Sequence, residues 1–231
     1  MRQPAPSLMM HDSTARRESA FTRRRRQIRI ALLACCCAVT LFISCGKKDP
    51  LRDLESARVV RIRDGDTIEL ADGRAVRYIG IDTPEEGQPG ADSATVLNTT
   101  LVLGKTVRLE YGGERLDRYG RTLAFVWVDG RMVNREILKA GWASCYFFEK
   151  NLKHARELVQ ALDGAMDNHR GLWKLPHTET ADHYVASDAG FRFHRPDCPS
   201  VGDIGKDAII IYTVRDSAVY HGFSPCHNCL P

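Results

Sequence analysis

Arg58-Val-Val-Arg-Ile-Arg-Asp-Gly-Asp-Thr-Ile-Glu-Leu-Ala-Asp-Gly-Arg-Ala-Val-Arg-Tyr-Ile-Gly-Ile81 contains three short runs in which apolar and polar residues alternate. A period of two is the mark of a half-buried strand. It predicts strands at Arg58–Arg63, Thr67–Leu70 and Ala75–Ile81. Asp72-Gly73 between the last two is a strong hairpin signal. Asp64-Gly65-Asp66 between the first two is, by itself, an ordinary turn.

The pattern continues outward. A helix is expected over Ala91–Leu103, stopped by Gly104. Strands follow at Lys105–Tyr111 and Thr122–Val128, the second turning at Asp129-Gly130. Val133–Ala140 reads as a short helix ending at Gly141. Leu152, Ala155, Leu158, Val159, Leu162, Ala165 and Met166 then recur at helical spacing on one face. The expected fold is mainly β with α: a five-stranded barrel of the OB type with packed helices. Leu175–Asp182 is polar and aperiodic, and reads as a linker. His183–Pro231 spans only 49 residues, too few to bury a sufficient core unaided, so a staple is required.

The 231-residue chain carries a formal charge of +4, but the first 45 residues hold eight Arg against Asp12 and Glu18, which leaves about −2 for the rest. Bulk charge in the body therefore gives no argument for a polyanionic partner. With 43% hydrophobic and 27% charged residues, the composition excludes wholesale disorder. The basic leader runs into 14 apolar residues, Ile30–Ile43. As a helix these reach ~21 Å, short of the ~30 Å hydrocarbon core, so they read as an export signal rather than a permanent span. Phe42-Ile43-Ser44-Cys45 resembles a bacterial lipobox, which implies lipidation of Cys45 and a membrane anchor, on the outer membrane if the source is Gram-negative. The alternatives are a signal cut elsewhere, leaving a secreted or periplasmic protein, and a translation start at Met9 or Met10. The expected layout is a signal (1–45), a tether (46–56), the barrel domain (57–174), the linker (175–182) and a small C-terminal module (183–231).

Three clusters combine acids with arginines: Asp64-Gly65-Asp66-Thr67, Arg77-Tyr-Ile-Gly-Ile-Asp82-Thr83-Pro84-Glu85, and Asp117-Arg118-Tyr119-Gly120-Arg121. Each alone has a bland reading as a turn, a loop entry or a surface ion pair. Together and in this order they resemble the staphylococcal nuclease (thermonuclease) family. The likeness runs from about residue 57 to 174 and includes Met132-Val133-Asn134, Gly141-Trp142-Ala143 and Gly171-Leu172-Trp173. The resemblance implies that Asp66 and Asp82, with the Thr83 carbonyl, hold a calcium ion, whose preference is for hard oxygen ligands. It implies that Glu85 orients or deprotonates the attacking water, and that Arg77 and Arg121 grip the scissile phosphate. The implied reaction is hydrolysis of DNA or RNA to 3′-phosphate ends. Tyr146 is the candidate for base stacking, with core packing as the alternative. Trp127, Trp142 and Trp173 are expected in the core, Cys145 as an inert buried thiol, and His154 and His169 on a solvated face.

The tail has a second constellation, Phe193-His194-Arg195-Pro196-Asp197-Cys198 and Pro225-Cys226-His227-Asn228-Cys229. A Cys-x2-Cys knuckle with a distant pair suits tetrahedral zinc, with a disulfide such as Cys226–Cys229 or free thiols as alternatives. The segment resembles the Ada-type metal-binding domain, which implies a structural zinc at His194, Cys198, Cys226 and Cys229. His194 replaces the cysteine that accepts a methyl group in that family, so methyl transfer is not expected. His221 and His227 are alternative ligands, and Arg192 and Arg195 are too few to argue for nucleic-acid contact. Two other readings compete with the nuclease: a non-catalytic OB-fold envelope lipoprotein that binds nucleic acid or another ligand, and a metal sensor centred on the tail. A partner protein cannot be inferred from the sequence.

Overall fold

The computed structural model describes residues 51–148, 151–175 and 181–231. The expected signal, Cys45 and the first five residues of the tether lie outside these residues, as does the central part of the linker. Strands β1 (Glu55–Ile62), β2 (Thr67–Leu70) and β3 (Ala75–Tyr78) form an antiparallel meander. Strand β1 starts three residues before Arg58, so Glu55 and Ser56 of the expected tether already pair with Leu109 and Arg108.

The run Ala75–Ile81 is not one strand. It breaks after Tyr78, and β4 (Gly80–Asp82) leaves in a new direction. Gly80 takes φ +79°, and a Cβ there would stand 2.6 Å from Leu158 Cδ1, so only glycine permits the corner. Asn134 fixes it: its Nδ2 donates to Ile79 O at 2.8 Å and its Oδ1 accepts from Val126 N at 2.9 Å, all buried.

Helix α1 (Ala91–Val102) is followed by β5 (Thr106–Leu116) and β6 (Thr122–Val128), then β7 (Arg131–Met132) and helix α2 (Val133–Lys139). The order β3-β2-β1-β5-β6 closes through parallel pairing of β3 with β6. This is the five-stranded barrel expected from the sequence. Strand β8 (Ser144–Tyr146) pairs with β4, placing Asp82 opposite Ser144. Helix α3 (Ala155–Asp167) lays Leu158, Leu162, Ala165 and Met166 on the core. Ile68, Val76, Phe125 and Val126 are wholly inaccessible at its centre.

The tail forms its own sheet: β9 (Tyr184–Ser187), β10 (Arg192–His194), β11 (Ile209–Tyr212) and β12 (Ser224–Pro225), in the order β11-β9-β10-β12, with helix α4 (Arg215–Tyr220). Leu51–Pro231 is one compact unit. Tyr184, Ala186, Phe193, Ala218 and Val219 join the same apolar core as the barrel. Buried Ser224 donates through Oγ to the Cys145 carbonyl in β8. Among the described residues no helix is long and apolar enough to cross a membrane.

Candidate active site

The corner at Gly80 brings β4 back across the barrel mouth, where Asp82 meets Asp66 from the β1–β2 turn. In that turn Asp64 Oδ1 accepts the Asp66 amide at 2.9 Å, an Asx-type closure. A Cβ on Gly65 would lie 2.6 Å from Ala94 Cβ and 2.8 Å from Thr83 Oγ1. Glycine is needed there for close approach rather than for an unusual φ. Asn98 holds the turn from α1, donating to Asp64 O at 2.9 Å and accepting from Tyr78 OH at 2.8 Å.

Both carboxylates are buried, Asp66 at 5% exposure and Asp82 at 8%. Arg77 lies between them, with Nε 3.0 Å from Asp66 Oδ1 and Nη2 2.9 Å from Asp82 Oδ1. Its Nη1 donates to Tyr78 O and Ile81 O at 2.6 and 2.8 Å. Asp66 Oδ2 accepts from Thr83 N at 2.9 Å and Thr83 Oγ1 at 3.1 Å. Burial, reinforced by Asp64 and Asp82, nevertheless pushes the Asp66 carboxyl up to about 7 against the pull of Arg77. Burial works the same way on Asp82, but bonds from His227, Arg77 and Arg192 outweigh it and hold that carboxyl below its usual range.

Arg121 is held differently. Asp117 accepts from its Nε at 2.6 Å and from its backbone amide at 2.9 Å. Among the described residues no acceptor takes its two Nη groups, and the guanidinium lies 5.4 Å from the centroid of the Tyr119 ring. Glu85 is 61% exposed in its side chain. Asp66, Asp82, Glu85, Arg77 and Arg121 all line one cavity of about 570 Å³. Tyr146 and half-exposed Phe148 form its aromatic rim, with ring centroids 4.9 Å apart and edge to face.

The oxygen donors of Asp66, Asp82 and Thr83 fit a hard divalent cation such as calcium. A sequence profile of the family described as Staphylococcal nuclease homologue matches residues 75–175. The thermonuclease of Staphylococcus hyicus is 36% identical over 128 residues, covering 52% of this chain and 76% of that protein. The chain belongs to the staphylococcal nuclease family. The thermonuclease of Staphylococcus intermedius is 38% identical over 129 residues (52% and 77% of the two chains). Endonuclease YncB of Bacillus subtilis is 34% identical over 133 residues (53% and 63%). The family profile ends at residue 175, so the tail lies beyond it.

The tail reaches into this family site. Arg192 Nη2 and His227 Nε2 each lie 2.9 Å from Asp82 Oδ2, and His227 Nδ1 lies 3.1 Å from Glu85 Oε1. Neither residue was expected at this site. His227 is not in the tail's cysteine cluster but turns toward the barrel, and His221 bonds Ser217 O at 2.6 Å. His154 departs from the solvated reading as well: it packs edge-on against Phe125 and lies 3.0 Å from buried Glu110. Cys145 is buried, and burial pushes its thiol well above the ordinary range.

In the tail, ligand atoms of His194, Cys198, Cys226 and Cys229 lie within 4.8 Å of one another. All three cysteines there are free thiols. Burial and nearby Arg192 lower the His194 pKa, favouring the neutral imidazole that binds metals. The Arg195 amide donates to Cys229 Sγ at 3.3 Å, while burial pushes that thiol up to about 12. A Cys3His set gathered this closely is of the kind that holds a zinc ion.

Proposed function

We propose that this chain is a calcium-dependent nuclease that hydrolyses phosphodiesters of DNA or RNA in line, expelling the 5′-oxygen and leaving 3′-phosphate ends. The observation that carries the reading is the gathering of Asp66, Asp82 and Glu85 with Arg77 and Arg121 around one cavity. A module that only binds nucleic acid has no use for three carboxylates where phosphate must approach.

Asp66 and Asp82, with the Thr83 carbonyl, would hold the calcium. When bound, the ion neutralises phosphate charge and orients the reacting oxygens. Glu85, exposed at the cavity edge, takes the proton of the attacking water. Arg121, anchored through Nε by Asp117, directs its Nη groups to the phosphate oxygens and opposes the charge that builds in the transition state. Arg77 carries the second cationic charge, shared between the carboxylates and the substrate. Tyr146 and Phe148 offer ring faces on which an unstacked base rests, a contact indifferent to sequence.

The reading extends to the whole chain. Export through the leader, a lipid anchor at Cys45 and a cell-envelope location belong to the proposal. So does the division at residues 175–182 into a nuclease domain and an Ada-like zinc module held by His194, Cys198, Cys226 and Cys229. The test is cleavage of single-stranded DNA by the purified protein with calcium or with a calcium-selective chelator, with Glu85→Gln in parallel. Calcium-dependent products ending in 3′-phosphate, lost in the variant, are expected. Folded protein that binds DNA without cutting it would favour the non-catalytic binder.

A further inference from the structure

Two side chains join the tail's cysteine cluster to the catalytic carboxylates. Arg192 stands two residues before His194, and His227 stands between Cys226 and Cys229. Each therefore belongs to one of the short segments that supply the tail's metal ligands. Strands β10 and β12 pair in parallel, and Arg192 Nη1 donates to the carbonyl of Pro225, the residue before Cys226, at 2.7 Å. The Cys226 amide donates to Phe193 O at 3.0 Å, and Leu230 N to Cys226 O at 2.9 Å, closing the knuckle around His227. A cation at the four ligands would lock both segments, and with them the positions of Arg192 and His227.

What these residues engage is what the proposed reaction needs open. Asp82 Oδ2 faces both Arg192 and His227 at 2.9 Å. Glu85 Oε1 faces the other His227 nitrogen at 3.1 Å. The aromatic rim is covered too: Arg192 Cζ sits 4.6 Å over the Tyr146 ring, and Phe191 packs against Phe148 with centroids 5.4 Å apart.

Simple chemistry sets the sign of the effect. A carboxylate oxygen has two lone-pair directions, and Asp82 Oδ2 already has two nitrogen partners while Oδ1 has Arg77. A hard dication needs those same lone pairs, and a guanidinium at 2.9 Å repels it. Thiolates select soft cations and carboxylates hard ones, so the two sites are chemically separate though mechanically joined. We infer that the His194–Cys198–Cys226–Cys229 cluster is a regulatory site for a soft divalent cation such as zinc, whose occupancy clamps Arg192 and His227 on Asp82 and Glu85 and so opposes calcium uptake by the nuclease centre. By linkage, calcium at the carboxylates weakens the docking of the tail to the same degree. The inference rests on the reading of the barrel as a calcium-dependent nuclease.

The experiment is a calorimetric calcium titration of three forms of the full chain: zinc-loaded parent, parent stripped of zinc by a thiophilic chelator that is then removed, and zinc-loaded Arg192→Ala/His227→Ala. Metal analysis should find one zinc per chain in the loaded forms, since the double substitution leaves all four tail ligands in place. Calcium is expected to bind about tenfold more tightly to the double variant and to the stripped parent than to the loaded parent, within the usual range of coupling between sites. The calcium midpoint for DNA cleavage should shift by the same factor. Equal calcium affinity in all three forms overturns the inference and leaves the nuclease reading standing. Weaker affinity in the double variant overturns it in the opposite sense, making the tail a part of the calcium site. Absence of calcium binding in every form overturns both.

Discussion

The barrel and the tail are adjacent but are held by different means. The barrel buries Ile68, Val76, Leu109, Phe125 and Val126 almost completely, the apolar area from which most folding free energy derives. The tail places its sheet against that core through Phe193 and Tyr184, yet its outer end closes around three cysteines and a histidine. Strand β11 of the tail leaves Ile209 and Ile211 exposed at 38% and 60%. The barrel is thus ordered by solvent exclusion, which no small ion controls; on the proposed reading, the outer end of the tail depends in addition on a bound cation. Because the tail's two reaching side chains end on Asp82 and Glu85, that contingency extends to the active site.

The largest expected break in this comparison comes from Cys198→Ala. Structural zinc contributes on the order of 10 kcal/mol to small domains of this kind, so amide protection across β9, β10 and β12 should fall by hydrogen exchange. Protection of β1, β2, β5 and β6 should persist; if the barrel strands open together with the tail, the two regions are not separately stabilised. Next in size is Phe125→Ala, expected to cost about 3–5 kcal/mol of barrel stability in denaturant titration. Phe193→Ala, a deletion of the same size at the seam, should loosen the tail first and leave the barrel transition near its parent midpoint.

A smaller effect sharpens the comparison at the corner that aims Asp82. Asn134→Ala leaves the Val126 amide and Ile79 carbonyl without their buried partner, each such loss costing about 1–3 kcal/mol. It should also weaken calcium binding, since the course of β4 depends on that clamp. The smallest effect concerns the thiols. Cys145, buried and with its thiol raised by that burial, should resist alkylation in the native protein at mildly alkaline pH. The tail thiols should react once zinc is removed, and mass spectrometry of the labelled peptides distinguishes the two.

The strand pattern and the turn signals exposed the barrel because they are local: Asp72-Gly73 and the alternation around it need no distant partner to be read. The acids and arginines were legible only through the family resemblance of three short motifs in order, since each motif alone reads as a turn, a loop entry or a surface ion pair. The break at Gly80 was not, because its one local trace, a slip of the alternation at Tyr78-Ile79, does not stand out in a pattern that is only roughly period two. Only the packing of Leu158 and the bonds of Asn134 show why the chain turns there. Arg192 and His227 were invisible in a stronger sense. Each lies more than 100 residues from Asp82, and His227 sits in a knuckle whose spacing points to metal rather than to a carboxylate. The signal that existed was modest: a histidine between two ligands that is itself not needed for a four-coordinate site.

Arg121 carries the proposed chemistry: it lines the cavity with the three acids, and among the described residues no acceptor takes its Nη groups. The decisive measurement is single-turnover cleavage of an end-labelled single-stranded oligonucleotide by the parent and by Arg121→Ala, at calcium concentrations high enough to displace the tail. A fall in rate of about 10²–10³-fold, with calcium affinity and unfolding midpoint unchanged, is the predicted result. Equal rates in the two proteins would contradict a phosphodiesterase centred on this cavity.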